Sequence, residues 1–323
     1  MMYRRSLLAS ALGAVPLSRS WGQQYPTRPV RVVVGFPPGG GTDLVARQFT
    51  PAVQSSLGQS FVIDNRAGAN GSVGLEAVAK SPPDGYTLGH VNSSVVVTNP
   101  LLYKNMTINV ERDLAPVCTV ADSPVAVVVP ADLPVKDLRD LVALSKSQPG
   151  LLHFGSGGMG SVDHMSFEVI RQQTGLADVM HVPYRGGGPA LNDMLGGRVQ
   201  LMVSAYGMYK GQVDAGRIRV IALLGTRRHP ALPDVPTGIE QGFPKLVVVS
   251  WQAIVAPAHT SDAIIDRLEG VYRKALDDAN IARLYAELGY FPTFRGRQEM
   301  AALLREETAQ WGAIIKEQNI QVD

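Results

Sequence analysis

The chain has 323 residues, of which 45% are hydrophobic, with a formal charge of +2 and one cysteine. A chain of this length fills two domains with full cores. Dispersed, nearly balanced charge excludes a nucleic-acid or membrane-surface binder, and the lone Cys118 excludes an intrachain disulfide or a thiolate metal site.

The first residues read as an export signal. Arg4 and Arg5 precede an apolar run at 7–17, broken by Pro16, and small polar residues continue to Gly22. Residues 1–22 are therefore expected to be removed before Gln23, placing the mature chain in the periplasm. The Arg pair fits a loose twin-Arg pattern as well as an ordinary Sec signal. The run is too short to span a bilayer, which needs roughly 20 apolar residues. Cleavage removes three arginines and no acids, turning the formal charge of +2 into −1.

The mature chain then alternates. A strand at 30–36 turns through glycines at 35–42 (GFPPGGGT) into a helix with apolar Leu44, Val45, Phe49 and Val53, ended by Gly58. A strand at 61–65, a Gly/Asn loop (RAGANGS), a helix near 73–80, a Pro-Pro-Asp-Gly turn and a strand at 87–91 follow. Residues 115–129 read as two strands end to end, separated by Asp122, Ser123 and Pro124. A second series comprises a helix at 137–147, a strand at 151–154, a glycine turn at 155–161 (GSGGMGS) and a helix at 163–174. It continues with a strand at 179–184, a short helix at 189–195, and strands at 199–203 and 219–224. A proline-rich connection at 230–244 leads to a strand at 246–255. Two helices close the chain, one carrying Ile264, Ile265, Leu268, Val271 and Tyr272 behind the N-cap Ser261, the other Met300, Leu303, Trp311 and Ile314. Strands alternating with helices of roughly 10–15 residues give an α/β class with parallel βαβ units. No period of roughly 20–50 residues repeats.

The two glycine turns occupy matching positions, each between a strand and a helix start. Such a turn presents backbone N–H groups at the positive end of a helix dipole and suits an anion. The first has phosphate-loop spacing, but Gly41 stands where the lysine must be, so a nucleotide hydrolase is not expected. The second matches G-x-G-x-x-G. A dinucleotide fold would want an acid at the end of the next strand, where Tyr184-Arg185 stands instead. An NAD(P)-dependent oxidoreductase is the lesser alternative. Asp43 and Asp163 read as helix-start partners rather than ligand contacts. His164 reads either as facing the cleft or as a satisfied histidine. The six histidines lack metal spacing, and G-x-S-x-G, H-E-x-x-H and C-x-x-C are absent. No enzyme, metal or cofactor is expected.

Several stretches together resemble the Bug family, the extracytoplasmic receptors of tripartite tricarboxylate transporters. They are Tyr25-Pro26 with RPVRVVVGFPPGGGTD, then NRAGANGSVG, PDGYTL, GSGGMGSVDH, VPYRGGGPALNDMLGG and ALPDVPT, in one order across the mature chain. The resemblance implies a two-lobed clamshell of the type II periplasmic binding protein architecture, with mostly parallel sheets flanked by helices. Lobe 1 would comprise residues 23–122 and 248–323, and lobe 2 residues 123–247, with crossings near 122–124 and 247–252. A small carboxylate would sit in the cleft. Carried over by position, its partners are Phe36, Pro38, Gly39, Gly40, Gly41 and Thr42 of the first loop, with Ser156, Gly157, Gly158, Gly160 and Ser161 of the second. Ser93 and Ser94 would add hydroxyls, and Tyr184 a ring and a hydroxyl. Many family members carry an acid where this chain reads Ser204-Ala205-Tyr206. Ser204, also expected to line the ligand site, cannot supply that charge, which argues against an amino-acid ligand. The implied partners are membrane permease subunits or a signalling protein, with the receptor itself a monomer.

Overall fold

In the computed structural model, residues 25–317 and 320 are described; the expected export signal lies outside them. The first half begins with β1 (Val30–Val34), α1 (Gly41–Leu57), β2 (Phe61–Asn65), α2 (Ser72–Ala79) and β3 (Thr87–Asn92). Short helices α3 (Ser93–Val96), α4 (Thr98–Leu102) and α5 (Val110–Asp113) lead into β4 (Leu114–Pro130). The second half holds α6 (Leu138–Ser147), β5 (His153–Ser156), α7 (Val162–Thr174), β6 (Met180–Pro183) and α8 (Gly187–Leu195). It ends with β7 (Leu201–Ala205), α9 (Tyr206–Asp214) and β8 (Ile218–Leu223). β9 (Val249–Pro257) then returns to the first sheet, followed by α10 (Asp262–Leu276), α11 (Ala279–Leu288), β10 (Phe291–Gly296) and α12 (Arg297–Glu317).

The strands run in the order β2-β1-β3-β9-β4-β7-β5-β6, with β8 and β10 also paired to β4. β4 belongs to both sheets: residues 114–124 pair with β9, and residues 125–130 with β7 and β8. The α/β class holds, but the expectation of mostly parallel sheets is corrected to mixed ones. β1–β2, β1–β3, β5–β6 and β5–β7 are parallel, whereas every pairing of β4 and β9 is antiparallel. The cause is the double crossing, because the chain leaves along β4 and comes back beside it on β9. The Asp122-Ser123-Pro124 stretch likewise interrupts nothing: β4 stays one strand of 17 residues and changes partners there.

Strand alternation sorts the cores. In the first sheet Val32 packs with Phe49, Leu88, Leu268 and Tyr285 on one face, and Val33 with Leu75, Val91, Trp251 and Met300 on the other. In the second, Val125, Val127 and Val129 face Phe154, Phe167 and Leu201, while Ala126 and Val128 face Met202 and Tyr209.

The end of β1 meets the start of α2 backbone to backbone. A Cβ on Gly74 would stand 2.7 Å from the Gly35 Cα, and one on Gly35 would stand 2.6 Å from the Gly71 carbonyl oxygen. Gly74→Ala should therefore cost about 1–3 kcal/mol through overpacking. Calorimetry would read this as a melting temperature lower by several degrees; an unchanged value would show that the approach relaxes freely.

Candidate functional site

Both glycine loops leave the C-terminal ends of parallel strands, β1 and β5, and enter α1 and α7. In the first loop Gly39 takes φ 83°, a left-handed conformation that glycine accepts without strain. Its N–H donates to Asp43 Oδ2 at 2.9 Å, and the same oxygen accepts from Arg47 Nε at 2.8 Å. Asn65 Nδ2 reaches Asp43 Oδ1 at 2.9 Å and the Phe36 carbonyl at 3.0 Å. Burial pushes the Asp43 carboxyl up, but the bonds from Arg47, Gly39 and Asn65 outweigh it and hold the group below the usual carboxylate range. Asp43 thus closes the loop, as its helix-start position suggested. The bond from Leu44 N–H to the Gly40 carbonyl, 2.9 Å, opens the helical ladder. The amides of Gly41, Thr42 and Asp43 precede it, at the positive end of a helix of 17 residues.

The second loop spends most of its donors on itself. Gly157 N–H donates to Asp163 Oδ2 at 2.8 Å, Gly158 N–H to Ser156 Oγ at 3.2 Å, and Gly160 N–H to His164 Nδ1 at 3.1 Å. Ser161 Oγ caps α7 by accepting from His164 N–H at 3.3 Å, and donates to the Gly158 carbonyl at 2.7 Å. Ser156 Oγ pairs with His181 Nε2 at 2.7 Å, and the His164 and His181 rings stack with centroids 4.6 Å apart. Burial pushes both imidazoles down to about 4, helped by Arg171 beside His164 and by His164 beside His181. Both are neutral at pH 7, and His164 is a satisfied loop partner rather than a group facing the cleft. A pyrophosphate would need the amides that this loop has already used, so nothing in the geometry favours a dinucleotide.

The expected site residues divide by exposure. Pro38 and Gly39 are exposed, Phe36, Gly40, Gly41, Gly157, Gly158, Tyr184 and Ser204 are half-buried, and the others are buried. Most of the hydroxyls proposed from the sequence already hold protein partners. Ser93 Oγ meets Ser250 Oγ at 3.4 Å, Ser94 Oγ donates to Asn92 Oδ1 at 2.9 Å, and Thr42 Oγ1 accepts from Asn92 Nδ2 at 3.5 Å. The Tyr184 hydroxyl, expected to be available, donates to Asp193 Oδ2 at 2.8 Å. Asp163 has its carboxyl pushed up by burial, against the lowering effects of the nearby Ser204 hydroxyl and of the bond from Gly157. Buried polar groups must be satisfied, and short side chains on tight loops find partners within them. What remains for an anion is mainly main-chain N–H.

Other residues near the loops gave no local signal in the sequence. A Cβ on Gly41 would stand 2.6 Å from the Tyr290 hydroxyl, which arrives from the turn after α11. Burial pushes that phenol up to about 12, so it remains a neutral hydroxyl. Asn70, at φ 48° in the loop before α2, extends Nδ2 to the Gly160 carbonyl at 3.4 Å. A cavity of about 880 Å³, lined by Met106, Ile108, Arg112, Leu304 and Arg305 among others, takes in none of the expected site residues.

Comparison with known proteins fits this geometry. The profile of the tripartite tricarboxylate transporter family receptor, TctC, matches residues 45–320. Protein BugT of Bordetella pertussis is 35% identical over 311 residues, covering 96% of this chain and 94% of its own. Among solved structures, R. palustris Rpa4515 with adipate superposes with a TM-score of 0.87 at 34% identity, covering 92% of this chain and 99% of that one. MatC from Rhodopseudomonas palustris, with bound malate, gives 0.82 at 30% identity, covering 90% and 100%. The periplasmic binding protein BugD gives 0.85 at 29%, covering 92% and 99%. Among the described residues, no helix is long and apolar enough to cross a membrane. The chain belongs to the tripartite tricarboxylate transporter receptor family, whose members are solute-binding proteins and not enzymes.

Proposed function

We propose that this receptor captures a small carboxylate between two lobes in the periplasm and delivers it to membrane permease subunits. The lobes are residues 23–122 with 248–323, and residues 123–247. The observation that carries the reading is the start of α1, where three successive amides precede the helical ladder beside a loop closed by Asp43. Helix-start donors stabilise an anion by about 0.3–2 kcal/mol beyond their individual hydrogen bonds. The adipate and malate in the relatives' structures support a carboxylate here. Ser204, in place of an acid, argues against a ligand that carries an ammonium group. A receptor feeding a signalling partner would use the same cleft; neighbouring genes for two permease subunits would favour transport.

A thermal-shift screen of the mature protein against mono-, di- and tricarboxylates tests this. A true ligand at 100 times its Kd should add about 2.7 kcal/mol to stability, and a micromolar Kd corresponds to about −8 kcal/mol. No shift with any carboxylate at millimolar concentration would remove the reading.

A further inference from the structure

The second glycine loop is tied to the opposite half of the molecule through its carbonyls. Tyr103 Oη donates to the Met159 carbonyl at 3.0 Å, Thr98 Oγ1 to the Gly160 carbonyl at 3.2 Å, and Asn70 Nδ2 to that same oxygen at 3.4 Å. Among the described residues, these two carbonyls find their hydrogen bonds only across the seam.

The donors are held in place. Asn70 and Asn99 clasp each other, with Asn70 Nδ2 to Asn99 Oδ1 at 2.8 Å and Asn99 Nδ2 to the Asn70 carbonyl at 2.9 Å. Thr98 also donates to the Ser94 carbonyl at 3.2 Å, one turn back. Its single proton is therefore shared between its own half and the other. Burial pushes the Tyr103 phenol up, which keeps it a donor. Beside these contacts the seam lined by Thr98, Val162, Met165 and Trp311 leaves only about 10 Å³. The loop passes the grip onward, because the Gly160 N–H is fixed to His164 at the start of α7.

We propose that Asn70, Thr98 and Tyr103 are positioning residues of the ligand site: they grip the Met159 and Gly160 carbonyls and hold the second glycine loop against the bound carboxylate. The inference rests on the receptor reading above. The grip exists only when the halves meet, so it acts on ligand release rather than on encounter. Opening hands both carbonyls to water; closing takes them back.

The test uses adipate and malate as probes on the mature chain and on T98V/Y103F, with T98S as the conservative control. Stopped-flow binding should show roughly 10-fold faster dissociation in T98V/Y103F, with association unchanged within about two-fold. T98S should behave as wild type. Spin labels on V62C and M180C, at opposite edge strands and exposed, report the separation of the halves, while Cys118 stays buried and unlabelled. The liganded variant should populate the longer distance more than wild type does. Melting curves on each variant separate a folding defect from the kinetic effect, and Y103F alone, which removes the donor to the Met159 carbonyl and should still speed dissociation, keeps the test alive if the double variant unfolds. A wild type that closes on ligand beside a T98V/Y103F variant with the same distances and dissociation rate would overturn the grip alone. A wild type that neither binds nor closes with any carboxylate would remove the receptor reading, and the grip with it.

Discussion

Gly41→Val should abolish carboxylate binding, with at least a 100-fold rise in Kd by calorimetry. The new Cβ would lie 2.6 Å from the Tyr290 hydroxyl. Tyr290 is 2% exposed and packs in the same core as Phe49 and Tyr285, so it has little room to yield. The first turn of α1 would have to shift, and the branched side chain would stand beside the amides proposed to receive the anion. Helix-start donors work only at hydrogen-bond distance, so a displacement near 1 Å is enough to lose them. Gly40 is the natural control. Its backbone is ordinary, at φ −71° and ψ 159°, and an added Cβ would meet the Pro37 carbonyl at 3.3 Å, a milder contact. Gly40→Ala should retain most of the affinity. Y290F combined with Gly41→Ala should recover stability by removing the hydroxyl in the way. Wild-type affinity in a folded Gly41→Val protein would take the first loop out of the site.

Glu307→Gln should raise stability at pH 8 by about 2–3 kcal/mol. Trp251 Nε1 donates to Glu307 Oε1 at 2.9 Å, while Oε2 is buried with no partner. Burial pushes the carboxyl up to about 7, against the lowering effects of Trp251 and Arg295; Asp122 and Glu306 push it further up. Arg295 itself is held by Asp122 through two bonds, of 2.8 and 2.9 Å. Below about pH 4.5 the group is protonated in both the folded and the unfolded chain. Between there and about 7 the folded chain keeps a proton that the unfolded chain has released, so stability falls as pH rises. A raised carboxyl of this size corresponds to roughly 3 kcal/mol lost across that window. Glutamine keeps the acceptor for Trp251 and carries no charge. Urea melts between pH 4.5 and 8 should show the wild type losing stability and the variant holding nearly level. Parallel curves would show that Glu307 ionises without penalty.

Legibility in the sequence followed the range of the signal. α1 was readable because Val45, Phe49 and Val53 keep helical spacing and Gly58 ends it in the left-handed conformation at φ 68°. α11 was missed although it carries punctuation of its own, Asp278 as N-cap and Gly289 at φ 74°. Only Ile281 and Tyr285 are buried along it, too thin a stripe to stand out. α9, with buried Tyr206 and Tyr209 among two glycines, hid for the same reason. Ser261 occupies the N-cap position of α10 as expected, yet its side chain makes no capping bond. At the site, the two glycine loops and the helix-start roles of Asp43 and Asp163 were visible, since strand, turn and helix are contiguous. Tyr290, Asn70 and Tyr103 were not, because their relation to the loops is made by the chain returning from far away. The hydroxyls' protein partners were hidden for a simpler reason: a serine looks equally ready for a ligand or for a neighbour until the neighbour is seen.

The sharing of β4 has an outcome for anyone dividing this protein. The stretch from Val125 to Pro130 is the spine on which β7 and β8 are laid. A gene fragment beginning at residue 131 would be missing its own middle. Each module is thus a dependent of the other, and shuffling one into a new host would require carrying along a strip of its sibling.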